Sequence, residues 1–195
     1  MLVLASKSPT RKALLENAGL RFALEPAQID ERALEASLPD ATDRRAVAVG
    51  LAEHKALAVS AARPHDLVIG ADQTLECEGR EIHKPATLAY ATAQLAALAG
   101  RTHALHAGVA LAREGRVLWT HVQSARLTMK PFTRAELEAV LALEGERVLT
   151  SVGGYRLEGP SIRLFERIEG DYFTILGLPL LALLSVLGRI APESL

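Results

Sequence analysis

Residues 2–19 read LVLASKSPTRKALLENAG, and their pattern indicates the fold class of the chain. The apolar run 2–5 suits a buried strand. Ser8 can cap a helix whose first position is Pro9, where a missing N–H costs nothing. The apolar stripe of that helix ends at Gly19, a residue that favours helix termination. The stretch therefore predicts a strand, a tight turn and a helix.

Strands and helices alternate along the rest of the chain, without a strict repeat. We expect strands over 22–29, 67–71, 105–112, 117–128 and 162–168. We expect helices over 43–61 and 87–99, from Thr133 with a capping box to Glu136, and over 179–187. The polar stretch with Pro39 and the glycine-rich segment 148–160 suit loops, and residues 74–85 suit a hairpin turning at Glu78-Gly79. This order predicts an α/β domain over 1–195, with a mixed sheet and flanking helices.

Composition excludes several classes of protein. The chain has 195 residues, 49% hydrophobic, with 22 Lys+Arg against 23 Asp+Glu, which is typical of a folded globular domain. A net charge of −1 argues against broad nucleic-acid binding. Cys77 is the only cysteine, so neither an intrachain disulfide nor a CxxC site can form. The apolar stretches at 1–5 and 175–187 are too short for a signal peptide or a membrane span, so we expect a cytoplasmic protein.

The segment 6–12, SKSPTRK, is a candidate phosphate site. It combines hydroxyls and cations with the backbone N–H groups of a helix N-terminus, which attract anions. Arg11 could bind a phosphate through two hydrogen bonds, while lysines act as point charges. The alternative is a capped surface helix with solvated charges.

Carboxylates and lysines elsewhere suit the same chemistry. Asp72 directly follows the apolar run 67–71, where it could bind a metal ion, activate water or merely cap a turn. Asp30-Glu31 offers two further carboxylates, although such a pair also suits a loop surface. Lys55 and Lys84 could each meet a phosphate or lie exposed, as most lysines do.

Taken in order, eight blocks of the sequence resemble the Maf family of nucleoside triphosphate pyrophosphatases. The resemblance covers nearly the whole chain: 4–15 (LASKSPTRKALL), 30–31 (DE), 51–56 (LAEHKA), 70–73 (GADQ), 84–85 (KP), 98–103 (LAGRTH), 153–155 (GGY) and 177–180 (GLPL). It implies hydrolysis of a nucleotide between its α and β phosphates with Mg²⁺ or Mn²⁺. It also implies an elongated mixed sheet with two lobes around a cleft, similar to inosine triphosphate pyrophosphatases, and a homodimer.

The resemblance also assigns roles to individual residues. Asp72 matches the catalytic aspartate, which activates water or holds the metal, and Glu31 matches a carboxylate close to the metal. The positions that handle phosphate are Ser8, Arg11, Lys55 and Lys84.

Three positions bear on the choice of base. Gln73 and Glu158 resemble the branch that hydrolyses 7-methyl-GTP, and a carboxylate suits the amine donors and positive charge of a methylated guanine. The branch that acts on dTTP and UTP typically has Thr and Gln at these positions. Thr10 matches neither branch. We therefore expect 7-methyl-GTP or another modified nucleotide, with dTTP/UTP hydrolysis as the alternative.

Two other classes of function compete with a house-cleaning enzyme of this kind. A non-catalytic nucleotide sensor or cell-division regulator could use the same fold, but it would not need Asp72 and Glu31. A nucleic-acid-binding protein conflicts with the near-zero net charge. The sequence favours an enzyme that acts on a small nucleotide, without nucleic-acid or membrane partners.

Overall fold

The computed structural model describes residues 1–37 and 43–195, so the stretch with Pro39 lies outside the described residues. The strands are β1 (Leu2–Leu4), β2 (Phe22–Leu24), β3 (Leu67–Cys77), β4 (Arg80–Ile82), β5 (Thr102–Arg113), β6 (Arg116–Met129) and β7 (Phe165–Glu169). The helices are α1 (Pro9–Asn17), α2 (Glu31–Ala36), α3 (Arg44–Ala62), α4 (Leu88–Leu98), α5 (Arg134–Glu144), α6 (Tyr172–Ile175) and α7 (Leu180–Ile190). None of these helices is both long and apolar enough to cross a bilayer.

The strands form one mixed sheet in the order β2-β1-β3-β5-β6-β7, with β4 beside β3. β1 is parallel to both of its neighbours, and Leu2 lies opposite Phe22 on one side and Leu67 on the other. β4 is antiparallel to β3, and β7 is antiparallel to β6. This topology confirms the predicted mixed sheet with flanking helices.

The chain forms two compact units, each assembled from separate stretches. The first unit contains residues 1–73, 106–123 and 171–195, and the second contains 74–105 and 124–170. Strands β3, β5 and β6 each contribute residues to both units. Because neither unit is a continuous segment, no linker marks the division in the sequence.

In the first unit, helices pack on both faces of the strands. On one face, α1 and α7 bury leucines such as Leu15 and Leu183 against Leu4 of β1. On the other face, α3 packs Ala52 and Ala56 against neighbouring strands. Successive strand residues point to opposite faces, so the short apolar β1 contributes to both cores.

Two glycines let α3 lie very close to the sheet. A Cβ added to Gly70 would lie 2.0 Å from the carbonyl oxygen of Ala52, and one added to Gly108 would lie 2.3 Å from that of Ala48. A residue with a side chain does not fit at such distances, so both strands need glycine there. Gly70 and Asp72 point to the same face of β3. The close approach therefore also brings α3 towards Asp72.

The second unit contains the hairpin and capping box that the sequence predicts. β3 and β4 are joined at Glu78 and Gly79, whose φ angles of 53° and 74° fit a tight two-residue turn. Thr133 accepts the N–H of Glu136, and the Glu136 carboxylate accepts the N–H of Thr133. Both predictions are confirmed.

Three sequence-based expectations about strand boundaries are wrong. The strand expected over 22–29 ends at Leu24, because its partner β1 ends at Leu4. β3 does not end before Asp72, because residues 75–77 extend it by pairing with β4. The strand expected over 162–168 begins only at Phe165, since residues 160–164 form a 3₁₀ helix that starts at Pro160. Within that 3₁₀ helix, the Ser161 N–H donates to the carboxylate of Glu144 rather than to a neighbouring strand.

Candidate active site

The turn after β1 forms the first wall of the candidate site. Ser8 caps α1: its Oγ accepts from the N–H of Arg11 at 3.3 Å, and Pro9 follows in the first turn. Ser6 lies under this turn, with its Oγ accepting the N–H of Ser8 at 3.2 Å. The predicted strand, turn and helix are confirmed. Thr10 occupies the same first turn and is partly buried.

Arg11 links this turn to two other parts of the first unit. Its Nε donates to the carbonyl of Gly177 at 2.8 Å, and its Nη1 donates to the carbonyl of Ala71 at 3.0 Å and to Ser6 Oγ at 3.3 Å. Burial lowers the pKa of Arg11, while the charges of Asp72 and Glu31 act in the opposite direction. Arginine stays protonated through such changes. The site therefore keeps a fixed positive charge near both carboxylates.

Lys55, Asp72 and Glu31 form the centre of the site. The Lys55 ammonium lies 2.9 Å from Glu31 Oε1 and also contacts Asp72 Oδ1. Lys55 is 7% exposed and Asp72 is 8% exposed, so this ion pair is well shielded from water. These positions exclude an exposed lysine at 55 and a turn-capping role for Asp72.

Glu31 reaches Lys55 because of a helix that the sequence did not reveal. Asp30 caps α2 by accepting the N–H of Ala33 at 3.0 Å, which places Glu31 in the first turn. The Glu31 side chain remains half exposed, so it lies at the solvent side of the ion pair. The signal in the sequence was Asp30 followed by a glutamate, a pattern typical of helix starts.

Gln73 forms hydrogen bonds with the segment 171–177 beside the site. Its Nε2 donates to the carbonyls of Thr174 and Ile175 at 3.1 and 3.0 Å. Asp171 caps this short helix by accepting the N–H and the Oγ–H of Thr174 at 2.8 and 2.9 Å. Together with the Arg11 contact to Gly177, these bonds attach residues 171–177 to the rest of the first unit. Sequence reasoning assigned this segment no role, although an Asp three residues before a Thr suggests such a cap.

The Glu31 and Asp72 carboxylates suit a divalent cation. Both already lie against one positive charge, the Lys55 ammonium, so the two carboxylates share one cation. Carboxylate oxygens are the ligands that Mg²⁺ and Mn²⁺ prefer. The residues present therefore fit the metal that the resemblance implies.

Two predicted site residues belong to the second unit. Lys84 is exposed and precedes Pro85, shortly after β4. Glu158 lies in the loop before Pro160, where the Nε of Arg156 donates to its Oε1 at 3.2 Å. Arg156 also reaches the buried carboxylate of Glu144 at 3.3 Å, a residue that sequence reasoning did not consider.

Comparison with known proteins places the chain in a family. Residues 1–190 match the family described as Maf-like protein. A 7-methyl-GTP pyrophosphatase of Rhizobium etli is 54% identical over 187 residues, covering 95% of this chain and 94% of that protein. A nucleoside triphosphate pyrophosphatase of Nitrobacter winogradskyi is 54% identical over 186 residues, covering 95% and 92%. A 7-methyl-GTP pyrophosphatase of Rhizobium meliloti is 50% identical over 188 residues, covering 96% and 94%.

The match runs through β1, the Ser8 turn, Lys55 and Asp72, and ends with the last residue of α7. It thus spans every element of the first unit that holds the Lys55 ion pair. With half of all residues identical over nearly the full length of these relatives, the chain belongs to the Maf family.

Proposed function

We propose that this protein hydrolyses nucleoside triphosphates between the α and β phosphates. Water attacks the α phosphorus, the bond from that phosphorus to the bridging oxygen breaks, and a nucleoside monophosphate and pyrophosphate leave. The buried Lys55 ammonium between the Asp72 and Glu31 carboxylates is the observation that carries the proposal. The activities for which the relatives are named support it.

Residues of the first unit supply two of the positive charges that this reaction needs. A triphosphate carries up to four negative charges, which fixed cations must offset at the α phosphate and on the leaving pyrophosphate. Arg11 and Lys55 are such cations, and Ser8 offers a hydroxyl beside Arg11. Lys84 takes the same role by resemblance.

Asp72 acts on the attacking water, either by accepting its proton or by binding the metal. Glu31 and Asp72 would hold Mg²⁺ or Mn²⁺ in this proposal. A bound ion polarises the α phosphate and lowers the pKa of a bound water. Hydrogen bonds and ion pairs hold Arg11 and Lys55 in place before substrate arrives, so these positive charges are preorganised in the site.

We assign the base to a modified purine, with 7-methyl-GTP as the leading candidate. Glu158 offers a carboxylate that can accept the N1–H and the exocyclic amine of guanine. Gln73 has its Nε2 committed to two backbone carbonyls, so its Oε1 acts as an acceptor for the substrate. Thr10 is the third residue that we assign to selection of the base.

Pyrophosphate release from a panel of nucleotides tests this proposal. The panel contains 7-methyl-GTP, GTP, UTP, dTTP and CTP, each with Mg²⁺ and with Mn²⁺. Preference for 7-methyl-GTP supports the assignment of the base, whereas preference for UTP or dTTP keeps the reaction and overturns the base. A folded protein that releases no pyrophosphate would favour a nucleotide sensor.

The proposal extends to a homodimer in the cytoplasm that uses neither nucleic acid nor membrane. Light scattering on the purified protein checks the oligomeric state, with a mass twice that of one chain expected. A mass equal to one chain would contradict the dimer without bearing on the reaction.

A further inference from the structure

Glu144, the last residue of α5, is a carboxylate buried within the second unit. Its side chain is fully buried, and its Oε1 accepts the N–H and the Oγ–H of Ser161 at 3.0 and 2.9 Å. Its Oε2 lies 3.3 Å from Nη1 of Arg156. A buried carboxylate is costly unless charges and donors surround it. Residues 156–161 supply those groups, so this loop is folded around the Glu144 charge.

Gly159 shows that the loop is shaped to this carboxylate. A Cβ added at Gly159 would lie 2.4 Å from Oε1 of Glu144. A side chain at this position would therefore displace the carboxylate or the loop. Gly159 also follows Glu158 directly, so the loop's contact with Glu144 fixes the backbone beside the residue proposed to read the base.

Arg156 joins the buried carboxylate to Glu158. One guanidinium lies between two carboxylates: Nη1 is 3.3 Å from Glu144 Oε2, and Nε is 3.2 Å from Glu158 Oε1. Both Arg156 and Glu158 are partly exposed, whereas Glu144 is not. Two negative charges against one positive charge leave the group with a net charge of −1.

The buried Glu144 carboxylate changes the charge balance of the Arg156–Glu158 pair. Without Glu144, the charge of Arg156 would be balanced by Glu158 alone, and the exposed pair would be neutral. With Glu144 in place, its buried carboxylate neutralises Arg156, so the negative charge of Glu158 remains available to attract a cationic base. A guanine methylated at N7 carries a positive ring charge, whereas guanine itself is neutral.

We propose that Glu144 is a positioning residue that neutralises Arg156 and thereby lets Glu158 favour a cationic, methylated purine over its neutral parent. This inference rests on the proposed function, because it takes Glu158 as the group that reads the base. It extends that function by assigning the discrimination to three residues acting as one electrostatic unit, one of them fully buried.

The experiment measures kcat/KM for 7-methyl-GTP and for GTP on the same preparation of each variant. The ratio of the two values does not depend on the folded fraction, so a destabilised variant still gives a valid measure of substrate preference. Glu144→Gln makes the group neutral and should lower the ratio roughly three- to tenfold. Arg156→Gln leaves two negative charges and should keep the ratio or raise it.

A purely structural role would not lower the ratio in Glu144→Gln while leaving it unchanged or raised in Arg156→Gln. A loop that is merely loosened would lower the ratio in both variants or in neither, and either result would overturn the inference. Ser161→Ala is the matched control, since it removes a hydrogen bond to Glu144 without changing charge. It should leave the ratio unchanged.

Glu158→Gln separates failure of the inference from failure of the proposed function. If this variant lowers the ratio while Glu144→Gln does not, the inference is wrong and the role of Glu158 stands. If Glu158→Gln leaves the ratio unchanged, Glu158 does not read the base and the inference falls with it. Absence of hydrolysis by the unmodified protein would contradict both the proposed function and this inference.

Discussion

The ammonium group of Lys55 contacts the carboxylate of Asp72 although both side chains are buried. The contact exists because Gly70 lets α3 lie against β3. Gly70 is two residues before Asp72, so both are on the same face of the strand. Glu31, at 2.9 Å from the same ammonium, brings a second negative charge from a separate helix. Fold and site are thus coupled at one point.

Replacing Lys55 should destabilise the protein as well as inactivate it. Lys55→Met leaves Asp72 as an uncompensated buried charge, a change that costs about 3–5 kcal/mol of unfolding free energy. Chemical denaturation measures this loss. Adding Asp72→Asn in the double variant removes the orphaned charge and should recover a large part of the stability.

Arg134→Met is the matched control for the Lys55 variant. Arg134 pairs with Glu138 at 2.7 Å on the exposed surface of α5, where such pairs contribute little. We expect little change in its unfolding transition. A Lys55→Met variant as stable as this control would contradict the role of the buried pair.

Asp72→Asn should abolish hydrolysis, and it should cost less stability than Lys55→Met because the Lys55 ammonium keeps Glu31 as a partner. The amide has nearly the same size but cannot accept a proton or hold a cation as a carboxylate does. Pyrophosphate release checks the activity, and circular dichroism checks the fold. Binding of Mn²⁺, followed by its magnetic resonance signal, separates the two possible roles: a metal ligand loses Mn²⁺ affinity, whereas a general base does not. Activity close to that of the unmodified protein would reject both roles.

Gly70→Ala and Gly50→Ala should have opposite effects on stability. At Gly70 the new methyl group would clash with the backbone of Ala52, at a cost of about 2–3 kcal/mol or more, and would push Lys55 away from Asp72. At Gly50, within α3, a methyl group meets no atom within 4 Å, so better helix propensity should stabilise by about 0.5–1 kcal/mol. Thermal unfolding compares them, and a stable, active Gly70→Ala variant would contradict the close packing of α3.

Gln73→Thr should loosen residues 174–177. The threonine cannot reach both carbonyls that Gln73 Nε2 now holds, at Thr174 and Ile175. We expect faster hydrogen exchange at the amides of this segment. The control is Gln28→Thr, at an exposed glutamine whose only described bond is a long one of 3.5 Å. Unchanged exchange in the Gln73 variant would show that Arg11 alone secures the segment.

His103 should make stability depend on pH between about 6.5 and 4. Its Nε2 lies 2.7 Å from the hydroxyl of Tyr155, its Nδ1 has no partner among the described residues, and burial lowers its pKa from 6.5 to about 4. In this range the unfolded chain binds a proton that the folded chain does not. The free energy of unfolding therefore keeps its full value above pH 6.5 and falls as the pH approaches 4. The contribution of this residue to that fall is about 3 kcal/mol.

His103→Gln should flatten this pH dependence, because the amide can still bond to Tyr155 but does not titrate. Denaturation midpoints at several pH values between 7 and 4 provide the comparison. His65→Gln, at an exposed histidine, serves as the control and should keep the full slope. An equal slope in the His103 variant would mean that other groups cause the dependence.

Local signals predicted the elements well, while the contacts between them came only from the structure. The Ser8-Pro9 start, the Glu78-Gly79 turn and the Thr133–Glu136 capping box are all encoded within a few residues, and all three formed as expected. Asp72 was predicted to end a strand because the apolar run stops there. The strand continues because β4 supplies hydrogen-bond partners, which no pattern inside β3 itself reveals.

The pairing of Lys55 with Asp72 could not be predicted from the sequence alone for a related reason. Both were candidates, but a lysine in an amphipathic helix is exposed by default. Gly70 carried the missing information, since a glycine inside an apolar strand often marks the close approach of another backbone. Glu144 and Arg156 left no comparable signal, because a carboxylate at a helix C-terminus and an arginine in a loop usually lie on the surface.

Hydrolysis of 7-methyl-GTP in ¹⁸O-labelled water tests the central claim most directly. We predict that the products are 7-methyl-GMP and pyrophosphate, with the label in the phosphate of 7-methyl-GMP, because water attacks the α phosphorus. Phosphorus magnetic resonance or mass spectrometry locates the label. Label in the pyrophosphate, or release of a nucleoside diphosphate and inorganic phosphate, would contradict the proposed reaction at the Lys55–Asp72–Glu31 site.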